Sequence, residues 1–108
     1  MSLRRIPRAR ILAGPGIASP VIDSTFTFNP PDLPAAGTAT AGTAVATALA
    51  GVALGDAVIV YPPYSMAGVL HSAYVDAAGT IAVALHNTTN ASVNLASGSW
   101  GVQVFRRT

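Results

Sequence analysis

Apolar and polar side chains alternate along several short segments of this chain, a pattern typical of β-strands. In residues 80–86, Ile81, Val83 and Leu85 occupy every second position, so an extended backbone places them on one face. Residues 25–28 alternate threonine with phenylalanine and are followed by Asn29 and two prolines. Because proline has no backbone N–H, we expect a short strand that ends there.

Similar segments extend the pattern along the chain. Residues 56–61, 69–75 and 100–105 are rich in Val, Leu, Ile and aromatic residues, and turn-forming residues lie between them. Together the segments predict an all-β fold, an antiparallel β-sandwich or jelly-roll-like barrel of about six to eight short strands.

Residues 38–50 permit two interpretations. Their many alanines favour a helix on intrinsic propensity. However, residues 43, 45, 47 and 49 are Thr, Val, Thr and Leu with alanine between them, which is the period of a strand. Glycines within and beside the segment also weaken a helix, so we favour a strand.

The charged residues are distributed unevenly. The chain of 108 residues has six Lys or Arg residues, and all of them are arginines near its two ends. Between Ile11 and Phe105 the only charged side chains are aspartates. Three prolines and two glycines interrupt the start, so we divide the chain into an extended basic N-terminal arm, residues 1–22, and a β-sandwich domain, residues 23–108. A domain so poor in charge lacks the usual protection against association, which suggests that copies of itself or a partner cover it.

Few residues could carry catalysis or hold a metal. The chain has no cysteine, and neither His71 nor His86 has a second ligand at the spacing of a zinc site. No serine lies in a Gly-x-Ser-x-Gly turn, and no glycine-rich loop carries the lysine of a phosphate-binding loop. We therefore expect a protein that is not an enzyme, with no cofactor, no metal and no small-molecule substrate.

Membrane insertion is not expected either. The basic start is followed by only three apolar residues before Gly14, too few for a secretory signal. Residues 35–55 are uncharged but consist mainly of Ala, Thr and Gly, which insert weakly.

Two features near the C-terminus have ordinary structural interpretations. Asn87 and Asn90 each begin an Asn-x-Ser/Thr triplet, which we interpret as a polar turn rather than a glycosylation site. Arg106 and Arg107 follow the last predicted strand, where we expect them to end it and to keep a sheet edge from pairing.

The arm is the segment with the clearest functional chemistry. It carries Arg4, Arg5, Arg8 and Arg10 without interleaved aromatic residues. Four charges are a weak basis for nucleic-acid binding, which gains affinity with each neutralised phosphate. Arginine also pairs bidentately with carboxylates, so docking on an acidic protein surface is the alternative that we favour. A start that binds nothing also remains open.

Four segments carry a resemblance to a known family. They are residues 55–63 (GDAVIVYPP), 68–75 (GVLHSAYV), 79–89 (GTIAVALHNTT) and 97–106 (SGSWGVQVFR). With residues 26–29 ahead of a Thr- and Ala-rich strand, they resemble small virion β-sandwich modules of tailed bacteriophages, cyanophages included. The resemblance implies trimers of β-sandwich subunits that act as capsid decoration (cement) proteins or as fibre tips.

Of these two uses we favour the decoration protein, because only a short basic arm precedes the module in this sequence. We then expect a homotrimer on the outer surface of the capsid, made in the host cytoplasm. It would bind the major capsid protein through the four arginines of the arm and stabilise the head by bridging coat subunits. Nucleic acid and membrane are not expected as partners.

The main alternative is a receptor-binding tail fibre or spike tip that recognises a host-surface glycan. Exposed aromatic residues would then form its binding surface, and Tyr61, Tyr64 and Tyr74 are the candidates. A bacterial adhesion or carbohydrate-binding domain, and a cytosolic nucleic-acid-binding protein that uses the arm, are further alternatives.

Overall fold

The structure, a computed structural model, describes residues 19–107. This part of the chain forms β-strands and no helix, which confirms the predicted all-β fold. The six strands are β1 (Ile22–Phe28), β2 (Gly42–Ala48), β3 (Ala57–Tyr61), β4 (Val69–Ala77), β5 (Thr80–Asn87) and β6 (Gly98–Phe105).

All six strands belong to one antiparallel sheet that curls around the core. Their order across the sheet is β1-β6-β3-β4-β5-β2, so β1 and β2 are the two edge strands. The last strand, β6, pairs with β1 on one side and with β3 on the other. The prediction that Arg106 and Arg107 protect a sheet edge is therefore wrong, because the strand that they follow has no free edge.

The ambiguous segment, residues 38–50, forms a strand as the period-two pattern predicted. Within β2, Thr43, Val45 and Thr47 are half-buried, whereas the alanines between them are exposed. Each of these residues pairs with a residue of β5, and Val45 lies opposite Val83. Tertiary pairing thus outweighs the helical propensity of alanine.

The core lies on one face of the sheet and is completed by loops. One row of paired residues crosses all six strands on this face: Ile22, Val104, Val58, Ala73, Val83 and Val45. Leu33, Val52 and Leu95 come from the connections between strands and are buried in the same cluster. The only tryptophan, Trp100, is fully buried there, and its ring lies edge-on to that of Phe28 at 5.1 Å. The loops therefore act as the second layer over the sheet.

A single buried polar side chain fastens two of these loops. Asn87, at the end of β5, is fully buried, and the two hydrogens of its Nδ2 are shared among the carbonyl oxygens of Leu33 (3.1 Å), Pro34 (3.0 Å) and Ala91 (2.8 Å). Its Oδ1 accepts from the backbone N–H (2.9 Å) and the hydroxyl (2.7 Å) of Thr89. Asn87 is thus a structural residue with its amide fully engaged, and no glycan can be attached to it in the folded chain.

Candidate interaction surface

The face of the sheet that points away from the core is almost free of charge. In the six strands the only Asp, Glu, Lys or Arg residues are Asp23, near the start of β1, and Asp76, near the end of β4. One row of pairs across this outer face consists of Phe105, Ala57, Tyr74, Ala82 and Ala46. The middle of the outer face therefore offers apolar and neutral polar groups only.

Large apolar side chains protrude from the centre of this outer face. Ile59 and Tyr61 on β3 are 46% and 48% exposed, and Leu70 and Tyr74 on β4 are 63% and 48% exposed. All five residues of β3 are apolar or aromatic, a run typical of strands that are covered on both faces. Within residues 19–107 only one face of β3 is covered, so this part of the chain carries more apolar surface than it buries.

Two glycines keep parts of the outer face flat beneath neighbouring rings. A Cβ on Gly101 would lie 3.4 Å from the Cβ of Tyr61, and a Cβ on Gly42 would lie 2.8 Å from Nδ1 of His86. Each glycine thus lets a ring from the adjacent strand lie across its backbone. Leu70, Ser72, Ala84 and His86 also line a shallow groove of about 290 Å³ between β4 and β5.

The structure places the three candidate tyrosines in different surroundings. Tyr61 lies on the outer face, and its hydroxyl donates to Oε1 of Gln103 at 2.8 Å. Tyr74 lies on the same face, opposite Ala57. Since Tyr61 is four residues further along β3 than Ala57, the backbone positions of the two tyrosines lie about 13 Å apart along the strands. Tyr64 is separate from both: its hydroxyl donates to the carbonyl of Ala96 (2.5 Å), and its ring lies edge-on to Trp100 at 6.1 Å.

Of the arginines near the two ends of the chain, the structure describes those that follow β6 and not those of the arm. Arg4, Arg5, Arg8 and Arg10 lie outside the described residues, so their predicted role in binding coat protein stays a prediction. Arg106 is used within the fold, an interaction that the sequence analysis missed. Its Nε and Nη2 donate to the carboxylate of Asp56 at 2.9 and 2.7 Å, and Nη2 also reaches the carbonyl of Gly51 at 2.9 Å.

This ion pair ties the end of β6 to the connection that leads into β3. Asp56 also accepts from the backbone N–H of Ala53 at 3.0 Å. The pKa of Asp56 lies below its ordinary value, chiefly because of the hydrogen bonds from Arg106 and secondly because of the one from Ala53. The hydrogen bonds between Arg106 and Asp56 also raise the pKa of Arg106. The carboxylate of Asp56 thus caps a backbone donor in the turn that leads into β3.

The two histidines lie on opposite faces of the sheet. His71 pairs with Leu85 on the core side, and its ring is edge-on to Trp100 at 6.1 Å. His86 pairs with Leu70 on the outer face. Among residues 19–107 no three His, Asp or Glu side chains gather as a metal site would require. In the same part of the chain, no helix has the length and apolar character needed to cross a bilayer.

Comparison with known protein families, with curated proteins and with solved structures gives no match. No relative therefore tests the predicted resemblance to phage virion modules, which stays a prediction.

Proposed function

We propose that this protein is a structural component of a bacteriophage virion, a capsid decoration (cement) protein. Three copies would associate as a homotrimer on the outer surface of the capsid and bridge adjacent coat subunits. The protein would act through binding alone, without catalysis, cofactor or small-molecule substrate. The observation that carries the proposal is the nearly uncharged outer face with its four large exposed side chains.

The composition of this face favours burial against protein. Surface charge normally keeps small domains apart, and contiguous apolar patches mark interaction sites. On the outer face, Ile59, Tyr61, Leu70 and Tyr74 stand among alanines, glycines and neutral polar residues. Aromatic residues are enriched and charged residues depleted at the centres of protein interfaces, and this face has both properties.

The size of the face favours several weak contacts over one strong contact. Six strands at about 4.8 Å spacing and about seven residues in length give a footprint of about 600 Å². A stable interface buries about 800 Å² on each partner, so one such face is too small on its own. Three joined subunits with three basic arms would raise the effective concentration of every contact after the first. Multivalent attachment of this kind suits a protein that holds a shell against internal pressure.

The decisive experiment measures attachment of the purified protein to capsids that lack it. We expect saturable binding, visible as added density on the capsid surface by electron cryomicroscopy, and a trimeric mass by light scattering. A protein that stays monomeric and does not bind capsids would overturn the proposal.

Matched variants assign the binding to the outer face. Ile59→Asp and Tyr74→Asp each place a charge at its centre and should reduce trimer formation or capsid binding at least tenfold. Leu54→Asp is the control, because Leu54 is 71% exposed but lies in the connection between β2 and β3. Equal effects of all three substitutions would show that the outer face has no special role.

The half-exposed Tyr61 and Tyr74 favour one alternative, a fibre or spike tip that binds host-surface glycan. Aromatic rings that stand clear of the surface stack on sugar faces. Saturable binding on a glycan array that is lost in Tyr61→Ala or Tyr74→Ala would favour the tip over the decoration protein.

A further inference from the structure

The two edges of the sheet differ in how they are protected. Edge strands expose unpaired backbone groups, and natural proteins protect them with charges, prolines or bulges. At the β1 edge, Asp23 lies in the strand, and Pro20 and Pro30 flank it. The other edge strand, β2, is seven residues long, regularly paired to β5, and contains neither charge nor proline. Within residues 19–107 no strand pairs with its other side.

The five central residues of β2 read the same in both directions. Thr43, Ala44, Val45, Ala46 and Thr47 form a palindrome centred on Val45. An antiparallel pair of identical strands related by a two-fold axis at Val45 would place Val opposite Val, Ala44 opposite Ala46, and Thr43 opposite Thr47. Like residues would thus meet along the strand, and pairs of β-branched residues and of threonines are favourable cross-strand neighbours.

We propose that β2 is a self-recognition edge, at which two copies of this chain pair their β2 strands antiparallel about a two-fold axis through Val45. The two six-stranded sheets would then continue as one. A two-fold contact brings the same patch of both copies together, so the patch must be complementary to itself. The palindrome supplies that complementarity.

A second copy is the occupant that the chemistry of β2 favours. The exposed side chains of β2 are alanines and a glycine, so two copies meet without steric conflict or charge repulsion. A charged partner would find no opposite charge on the strand. This contact does not depend on the proposed capsid role. If three copies also associate through their outer faces, the β2 contact would join two trimers, because a two-fold axis cannot relate the members of one trimer.

Disulfide trapping tests the contact in the full-length chain, which has no native cysteine. Opposed Cα atoms of antiparallel strands lie about 4.5 Å apart in a non-hydrogen-bonded pair and about 5.5 Å apart in a hydrogen-bonded pair, and a disulfide can span either distance. Val45→Cys should therefore form a covalent dimer under mild oxidation of the folded protein. Thr25→Cys, at the centre of the β1 edge, is the matched control and should form no covalent dimer. Equal dimer yields from the two variants would overturn the proposal.

Charge exchange tests the register. Two double variants are made in the Val45→Cys chain. Ala44→Lys with Ala46→Lys would place lysine opposite lysine at two positions of the proposed pair. Ala44→Asp with Ala46→Asp would place aspartate opposite aspartate at the same two positions. Both alanines are exposed, so the fold should tolerate either change. Each variant alone should lose dimer yield by about fivefold or more. A mixture of the two should regain it as heterodimer, because each introduced lysine of one copy would then face an introduced aspartate of the other.

Three results would contradict this pairing. The charged variants could crosslink as well as the parent, or the mixture could fail to recover the yield. The third result would be preferential crosslinking of Val45→Cys to a chain that carries Ile11→Cys. Ile11 lies in a proline-free stretch of the arm, residues 8–14, so that result would identify the arm of another copy as the occupant. None of these results bears on attachment to capsids, which is measured separately.

Discussion

Substitution of Asn87 should show how strongly one buried amide holds the loops on the sheet. In Asn87→Ala, the carbonyl of Pro34 and the N–H of Thr89 lose the only partners that the described hydrogen bonds give them. The carbonyl of Leu33 keeps the N–H of Val93 as a donor, and the carbonyl of Ala91 accepts from the Thr89 hydroxyl that loses Oδ1 as its acceptor.

The expected loss of stability follows from these two orphaned groups. A buried polar group without a partner costs about 1–3 kcal/mol, and the site is partly open to water on the Thr89 side, so we expect about 3 kcal/mol in total. With a urea dependence of about 1.5 kcal/mol/M for a domain of this size, the unfolding midpoint should fall by about 2 M. A sum over all five hydrogen bonds would overstate the loss, because three of the partner atoms remain bonded elsewhere or can rehydrate.

Urea unfolding followed by fluorescence measures this change directly, since Trp100 is the only tryptophan and is fully buried. Asn90→Ala is the matched control: Asn90 is exposed, begins the neighbouring triplet, and makes no side-chain hydrogen bond among the described residues. All variants should be compared at one protein concentration, because association stabilises the folded state. A loss in Asn87→Ala no larger than that in Asn90→Ala would refute the reasoning.

Asn87→Asp adds a test of the amide orientation. The new carboxylate would face three carbonyl oxygens, so its ionised form would be disfavoured and its pKa in the folded state raised above the unfolded value of about 3.9. The penalty is then absent below about pH 4 and grows as the pH rises through the folded pKa. A stability difference between the Asp and Ala variants that does not change with pH would contradict this orientation.

Three further predictions concern other parts of the fold. Because the pKa of Asp56 is lowered, its pairing with Arg106 stabilises the protein above about pH 4, and this stabilisation is lost as the pH falls below that value. Between pH 7 and pH 3 the urea midpoint of Asp56→Asn should therefore fall less than that of the parent. Leu33→Ala should lower stability by about 2–5 kcal/mol, because this loop residue is buried in the core; a loss below about 1 kcal/mol in the same urea assay would mean that the loop does not belong to the core. Gly68→Ala should destabilise the protein more than Gly37→Ala in thermal unfolding, since both have positive φ but only a Cβ on Gly68 would meet a side-chain atom, at 2.6 Å.

Local pattern was sufficient to predict the strands of this protein. Each of the six strands was predicted near its observed position, including the Ala-rich strand β2, because the alternation of side chains in a strand is a property of consecutive residues. The alternation also indicated which residues of β5 face the core. The all-apolar run in β3 is typical of a strand that is covered on both faces, but the run does not indicate which partner covers the second face.

The order of the strands could not be predicted in the same way. The last strand, β6, lies between β1 and β3, so the expected edge role of the terminal arginines was wrong. Which strands are edges depends on pairing between segments that are far apart in sequence. The palindrome in β2 indicates pairing between two copies only because β2 is an edge strand, and the strand order is needed to know that.

The sequence by itself determined the fold class and the positions of the strands, since backbone propensity and side-chain period act over a few neighbouring residues. Only the tertiary structure decided that Arg106 pairs with Asp56 and that Asn87 holds Leu33, residues separated by 50 and 54 positions. Such contacts depend on the path of the connections, where many polar residues compete for the same partners and no local period distinguishes them. The same holds for the outer face, whose neutral surface is assembled from alternate residues of six strands.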